Sequence, residues 1–81
     1  SVVIEGHTDN QIVSNEIYPS NWELSGARSG SVARLLEEFG IQSRRLEIIG
    51  YGSTRPKVSN DTAELRRLNR RIDILIKPDG Y

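Results

Sequence analysis

The sequence contains no cysteine and no methionine, and among its 81 residues there is a single tryptophan and a single phenylalanine. Without cysteine, a disulfide framework and a thiolate metal site are both excluded, while the redox compartment stays open. No stretch approaches the roughly 18 apolar residues that span a bilayer, and residues 1–20 do not resemble a signal peptide. The length predicts one small domain. Because the chain opens directly on a strand-like run, we expect it to be part of a longer protein.

The net charge is zero, but the charges are unevenly distributed. Residues 1–43 carry two arginines and six acids, whereas residues 44–71 carry eight basic residues and three acids. A basic half is compatible with a polyanionic partner, although arginines also suit solvated turns and helix ends. A nucleic-acid interface would need stacking aromatics or a groove-reading helix beside the arginines, and the run from Arg66 to Arg71 has no aromatic neighbour. We therefore predict no nucleic-acid partner.

Local signals predict alternating strands and helices. Ser20 and Glu23 form a capping box that begins a long helix, Gly40 is suited to end it, and Asp61 is expected to cap a second, short helix. The predicted elements are a strand at 2–6, a helix to about residue 39, a strand at 46–51, a helix to about residue 68, and a half-buried strand at 72–76. This order predicts an α/β fold (an α+β sandwich), with a mixed sheet covered on one face by two helices.

The long helix carries two polar residues on its predicted core-facing side. At about 100° per residue, this side comprises the apolar residues Leu24, Val32, Leu35 and Phe39. Asn21 and Arg28 fall inside the same stripe, and a buried arginine is costly unless it is paired. Asp9 follows the first strand and is expected to face Arg28 across the end of the sheet. Two interpretations stay open: a buried ion pair that orders the fold, or a cleft that holds the carboxylate and the ammonium of a zwitterion.

Other motifs carry weaker signals. His7 and Asp9 supply only two ligands and no third stands out, so no metal site is predicted. No nucleophile, phosphate-loop or acid–base motif is present, so we predict neither an enzyme nor a cofactor. Tyr51 either stacks on a ligand or simply packs. Gly26 and Gly30 are predicted on the helix face opposite the apolar stripe, as a smooth surface for self-association or as tolerated surface residues.

Several segments resemble the OmpA-like peptidoglycan-binding domains. In family order they are Ile4 to Asn10, Ser20 to Ser25, Ala27-Arg28, Ser31-Val32, Arg45-Leu46, Gly50 to Gly52, Pro56, Asn60 to Thr62 and Asn69 to Ile72. The run Ser-Asn-Trp-Glu-Leu-Ser resembles the flagellar stator branch, typified by MotB, more than the porin and lipoprotein branches. The sequence departs from the family in lacking the usual first strand and helix, and in having Ser29-Gly30 where alanine and a larger residue are common.

The resemblance implies non-covalent binding of peptidoglycan through the diaminopimelate of its stem peptide. Asp9 and Arg28 would hold the ends of that amino acid, and the remaining implied site residues are Asn21, Arg70, Thr8 and Leu24. The resemblance also implies a periplasmic domain of an inner-membrane-anchored homodimer that fixes a flagellar stator to the cell wall. The part of the parent protein that precedes this domain would contact the ion-channel subunit. The alternative is the tether of an outer-membrane porin or lipoprotein, as in OmpA and Pal.

Overall fold

The structure is a computed structural model that describes residues 1–78 of the chain, so the last three residues of the predicted domain lie outside it. Its elements are β1 (Val2–His7), α1 (Asn21–Glu38), a 3-10 turn (Ser43–Arg45), β2 (Leu46–Gly50), α2 (Ala63–Asn69) and β3 (Arg71–Ile76). The sheet order is β2-β1-β3. The central strand β1 is parallel to β2 and antiparallel to β3. This three-stranded mixed sheet with two helices confirms the predicted fold class.

The helix ends follow the local signals closely. The Ser20 side chain accepts a hydrogen bond from the backbone N–H of Trp22 at 3.1 Å, and its hydroxyl donates to the Glu23 carboxylate, which lowers the pKa of Glu23. Gly40 follows α1 with a φ of 102°, a left-handed conformation that glycine adopts without strain. In α2 the predicted cap at Asp61 is wrong by one residue. The hydroxyl of Thr62 fills that place by accepting from the N–H of Leu65 at 3.1 Å.

The face that α1 presents to the sheet differs from the predicted apolar stripe. Ser25 and Ser29 are fully buried, whereas Leu35 is 49% exposed and Phe39 is 79% exposed. Arg28, which the stripe placed toward the core, is exposed as well. The prediction is wrong because it assumed that the largest apolar residues choose the buried side of a helix.

Two paired glycines explain this orientation. Gly6 and Gly50 are partners on adjacent strands. A Cβ on Gly6 would lie 2.6 Å from the Ser29 Oγ, and one on Gly50 would lie 2.6 Å from the Gly26 nitrogen. The helix therefore approaches the sheet so closely that only small residues fit between them.

Gly26 and Gly30 lie on the flank of α1 nearest β2, and both are half-buried. The Gly26 backbone lies against Gly50, and a Cβ on Gly30 would be 3.8 Å from the Ile48 Cδ1 atom. The predicted glycine face is therefore partly covered by β2, but a Cβ on Gly26 would meet nothing within 4 Å, and its role in self-association stays a prediction. The close approach requires glycine at Gly50, whereas an added Cβ at Gly26 or Gly30 would not clash.

Burial is concentrated on the central strand. Val2, Val3 and Ile4 are 5%, 1% and 0% exposed. Ile74 and Ile76 share the α1 side of the sheet through their pairing with Ile4 and Val2. They are nevertheless 51% and 78% exposed, because α1 packs on β1 and β2. The end of β3 is thus less buried than predicted. Neither helix of the described residues 1–78 is long and apolar enough to cross a membrane.

Candidate functional site

The carboxyl end of β1 and the start of β3 bring Asp9 and Arg70 together. Arg70 donates from Nη1 to Asp9 Oδ2 at 2.6 Å, and the backbone N–H of Gln11 donates to Asp9 Oδ1 at 2.9 Å. Asp9 is 5% exposed, while the Arg70 side chain is 40% exposed. The carboxylate is thus held by two donors at the edge of solvent.

Of the two interpretations of Asp9 and Arg28, the buried ion pair is wrong because Asp9 pairs with Arg70 instead, while the ligand cleft stays a prediction. The antiparallel pairing of His7 with Arg71 brings Arg70 beside the residues that follow β1. Arg28 is exposed, and no hydrogen bond or ion pair engages its guanidinium among residues 1–78. Arg70, which was expected only to line the cleft, takes the place given to Arg28.

Arg28 lies on the flank of α1 that faces away from β2. A Cβ on Gly30 would lie 3.8 Å from Ile48 of β2, and two residues away along an α-helix the side chain is rotated by about 200°. Because β3 lies on the other side of β1 from β2, this flank is on the side of the sheet where Arg70 precedes β3. The arrangement leaves one paired arginine and one unpaired arginine on the same side of the molecule.

Asn21 connects the charged residues to a cavity. Its Nδ2 donates to the Gln11 carbonyl at 3.0 Å, while its Oδ1 is buried and has no hydrogen-bond partner among the described residues. A cavity of about 230 Å³ opens here and is lined by Ile12, Val13, Ser20, Asn21, Trp22, Gly52, Ser53 and Thr54. The cavity does not include Asp9, Arg28 or Arg70. It is linked to Asp9 through Gln11, whose N–H binds the carboxylate and whose carbonyl binds Asn21.

The two remaining predicted residues, Thr8 and Leu24, have less to offer a ligand. Thr8 is 4% exposed, its hydroxyl donates to the Asp9 carbonyl at 2.8 Å, and its N–H donates to the Gly52 carbonyl at 2.9 Å. These bonds hold the loop that carries Asp9. Leu24 is half-buried at the N-terminal end of α1.

Asn69 was missed by the sequence reasoning although it precedes Arg70 directly. It is fully buried. Its Oδ1 accepts from the backbone N–H groups of Lys57 and Val58 at 2.8 and 3.1 Å, and its Nδ2 donates to the Val58 carbonyl and to Asn60 Oδ1, both at 2.9 Å. Asn69 therefore fixes the preceding loop to the start of β3, which positions Arg70. Asparagine is well suited to such side-chain-to-backbone bonds.

Ser25 and Ser29 were also missed. The Ser25 Oγ accepts from the N–H of Gly52 at 2.9 Å and donates to the Trp22 carbonyl at 3.1 Å. The Ser29 Oγ donates to the Ile49 carbonyl at 3.0 Å. These bonds fix the N-terminal half of α1, with Asn21 and Arg28, against the end of β2. The sequence signal that could have identified these two serines is the spacing of small residues on the helix, together with the glycines in both strands.

A second cluster of polar side chains lies on the face of the sheet opposite α1. The ring of Tyr51 stacks on His7 with centroids 5.2 Å apart, and the Tyr51 hydroxyl donates to Glu5 at 3.3 Å. Burial, and then the positive charge of Arg71, lower the pKa of His7. Tyr51 thus packs on His7, and stacking on a ligand stays a prediction. Glu5, His7 and Asp73 also offer ligand atoms within 4.8 Å of one another, a grouping hidden in the sequence because Asp73 is distant along the chain.

Comparison with known proteins identifies relatives over nearly the whole chain. It is 40% identical over 81 residues to motility protein B of Bacillus subtilis, which covers 99% of this chain and 31% of that protein. It is 38% identical over 81 residues to outer membrane porin F of Pseudomonas aeruginosa, covering 99% of this chain and 22% of that protein. The chain thus spans less than a third of the length of either relative.

Solved structures give the same result. The crystal structure of the C-terminal domain of Helicobacter pylori MotB superposes with a TM-score of 0.89 at 30% sequence identity, covering 98% of this chain and 60% of that one. The OmpA family model matches residues 1–70. The chain is a member of the OmpA family, a non-enzymatic family of peptidoglycan-binding domains.

Proposed function

We propose that Asp9 and Arg28 bind the diaminopimelate of a peptidoglycan stem peptide. Diaminopimelate carries an ammonium and a carboxylate at the end of its side chain, so it requires one acceptor and one donor group. The unpaired guanidinium of Arg28 is the observation that carries this proposal, because it offers a planar two-donor fork that matches a carboxylate. Asp9 is the acid available to the ammonium.

Arg70 holds the Asp9 carboxylate in position for this role. A carboxylate has about four lone-pair positions, and the described contacts of Asp9 use one on each oxygen. Each oxygen therefore keeps a position for an ammonium N–H. Holding the carboxylate in place before the ligand arrives reduces the ordering cost of binding. Asn21, with its unpartnered Oδ1, supplies a further acceptor beside the cavity for the backbone of the stem peptide.

Pull-down on purified cell walls of two chemistries tests the proposal. The chain should sediment with walls whose stem peptide contains diaminopimelate and far less with walls that contain lysine, which lacks the second carboxylate. Asp9→Asn keeps the shape of the side chain and removes its charge, so it should release the chain from the wall. Asp61→Asn, at an exposed acid outside the site, should have no effect. Equal retention on both walls would refute the diaminopimelate assignment.

We also propose that the parent protein anchors a flagellar motor stator to the cell wall. This is supported by the Ser20 to Ser25 run and by the similarity to motility protein B. The parent would be inner-membrane-anchored, with this domain in the periplasm and the preceding part against the ion-channel subunit. Introducing Arg28→Ala into the parent protein should then abolish swimming while flagella still assemble.

The alternative role is the tethering of an outer-membrane porin or lipoprotein, which is supported by the similarity to porin F at nearly the same identity. In that case the same substitution would leave swimming intact and weaken the attachment of the outer membrane to the wall. Fractionation of the parent protein between inner and outer membranes distinguishes the two roles independently of the site.

We further propose that the parent protein is a homodimer, as the family resemblance implies. The contact could use the Gly26 and Gly30 face of α1, since a Cβ on Gly26 would meet nothing within 4 Å and one on Gly30 would meet only Ile48 at 3.8 Å. Light scattering on the parent protein measures its mass directly. A monomer at all concentrations would exclude the dimer without affecting the proposed ligand site.

A further inference from the structure

The face of the sheet opposite α1 carries three metal-ligating side chains. Gly6 faces α1, and successive strand residues point to opposite faces, so Glu5 and His7 project from the other face. Asp73 pairs with Glu5 across β1 and β3. Each of Glu5, His7 and Asp73 offers a ligand atom within 4.8 Å of the other two. We call these residues the Glu5–His7–Asp73 cluster.

Two features of this cluster favour a bound metal ion, although Arg71 already forms an ion pair with Asp73 at 3.1 Å. Glu5 and Asp73 are direct cross-strand partners, and like charges in that relation destabilise a sheet. His7 is 3% exposed, and neither of its ring nitrogens has a hydrogen-bond partner among residues 1–78. Burying a polar group without a partner costs free energy. A cation bound between the three residues would compensate both costs.

The spacing of the ligand atoms fits such an ion. His7 Nε2 lies 3.5 Å from Asp73 Oδ2, longer than an ordinary hydrogen bond. In a tetrahedral zinc site with bonds of about 2.0–2.2 Å, neighbouring ligand atoms are roughly 3.4 Å apart. The His7–Asp73 pair therefore already has the separation of two ligands of one ion.

The surroundings orient the two carboxylates. The Tyr51 hydroxyl donates to Glu5 at 3.3 Å, and Arg71 Nε donates to Asp73 Oδ2 at 3.1 Å. Hydrogen bonds of this kind around a metal site hold its ligands in place. Arg71, and Arg55 stacked 4.1 Å above the Tyr51 ring, add positive charge close by. They lower the affinity below that of a closed structural zinc site.

We propose that Glu5, His7 and Asp73 form a binding site for a divalent transition-metal ion of the zinc type, with its fourth position open to water. One imidazole and two carboxylates favour zinc, cobalt or nickel over magnesium. The ion would join β1 to β3, so that binding stabilises the folded chain. The site is separate from Asp9 and Arg28, so its test is independent of wall binding.

Titration of the untagged 81-residue chain with Co²⁺ tests the proposal. A bound cobalt ion with a low coordination number should give visible d–d absorption that saturates at one ion per chain. Zn²⁺ should displace it, and Mg²⁺ should not. Zn²⁺ should also raise the midpoint of thermal unfolding. A chain that shows no cobalt spectrum and no shift with Zn²⁺ would overturn the proposal.

Matched variants assign the binding to the cluster. Glu5→Gln and Asp73→Asn should each weaken Co²⁺ binding by about tenfold or more. Losing only a hydrogen-bond partner of a metal ligand already has an effect of this size. Glu47→Gln is the control, because Glu47 pairs with Val3, points to the same sheet face and is exposed. Circular dichroism checks that each variant is folded. If all three variants bind Co²⁺ as the parent sequence does, the ion is held elsewhere and the proposal fails.

Discussion

The two halves of α1 contact the rest of the molecule in different ways. In the first half, Asn21 to Gly30, Ser25 and Ser29 are fully buried against Gly6 and Gly50. In the second half, Leu35 is 49% exposed, and Phe39, which directly follows α1, is 79% exposed. The half that carries the candidate site is thus positioned by close backbone contact and hydrogen bonds. The other half leaves Leu35 and the adjoining Phe39 in solvent, while Val32 and Leu36 are half-buried.

This difference shows what fixes the site. Hydrophobic burial is non-directional, whereas a hydrogen bond from Ser29 to the Ile49 carbonyl, or a contact between Gly26 and Gly50, sets both the distance and the rotation of the helix. The rotation is what turns Arg28 out toward the β3 side. Four predictions test whether stability is concentrated around the candidate site rather than in the second half of α1. They are given in order of decreasing effect on the free energy of unfolding.

Gly50→Ala should have the largest effect on stability. Its Cβ would lie 2.6 and 2.8 Å from the nitrogen and Cα of Gly26, and backbone atoms cannot move aside as a flexible side chain can. We expect a loss of about 3 kcal/mol or more in the free energy of unfolding. Gly26→Ala is the control, because its Cβ would meet nothing within 4 Å and alanine favours a helix by about 0.5–1 kcal/mol. Urea unfolding measures both, and equal effects would contradict the account.

Asn69→Ala should cost about 2–3 kcal/mol of unfolding free energy, because it leaves buried backbone groups of the 57–58 segment without partners. Asn15→Ala is the matched control. Asn15 also accepts from two backbone N–H groups, those of Ile17 and Tyr18, but it is exposed, so water replaces the lost bonds. Thermal or urea unfolding distinguishes them. A loss at Asn15 as large as that at Asn69 would show that burial does not set the cost.

Ser25→Ala should cost about 1–2 kcal/mol, since the buried N–H of Gly52 loses its acceptor. Ser31→Ala removes a helix serine hydroxyl that only bonds the Ala27 carbonyl at 3.1 Å on the exposed side, and we expect a change within about 0.5 kcal/mol. Hydrogen exchange of the Gly52 amide gives a local measure of the same loss. Unchanged protection of that amide in Ser25→Ala would count against the assigned bond.

Phe39→Ser should have the smallest effect, within about 0.5 kcal/mol in the isolated 81-residue chain. The side chain is 79% exposed and therefore has little burial to lose. Urea unfolding is the measurement. A loss above about 2 kcal/mol, typical of a core aromatic, would show that the second half of α1 is packed and that the contrast between the halves is false.

The element boundaries could be predicted from the sequence because their signals are local. The Ser20 and Glu23 capping box, Gly40 after α1 and the β-branched run of β1 each act within a few residues. The cap of α2 was misplaced because both Asp61 and Thr62 are residues that favour this position, and only the backbone geometry distinguishes them.

The packing of α1 could not be predicted by the same means. Hydrophobic periodicity assumes that the buried side is the most apolar side, and here the close approach at Gly6 and Gly50 selects Ser25 and Ser29 instead. The partner of Asp9 was missed for a related reason. Arg70 is far from Asp9 in sequence, and only the antiparallel register of β1 and β3 brings them within 2.6 Å. Asp9 and Arg28 were nevertheless indicated by the sequence pattern as well as by the family resemblance, and Arg70 by the resemblance alone.

The central claim is that Arg28 is a binding residue without a structural role, and calorimetric titration of a soluble diaminopimelate-containing stem peptide tests it most directly. Arg28→Ala should lose a charge-assisted interaction of about 1.5–3 kcal/mol, which weakens binding roughly tenfold or more. Its unfolding free energy should stay within about 0.5 kcal/mol, since Arg28 is exposed. Arg34→Ala, at another exposed arginine of α1, should bind like the parent sequence. Unchanged affinity in Arg28→Ala, or equal losses in the two variants, would contradict the account.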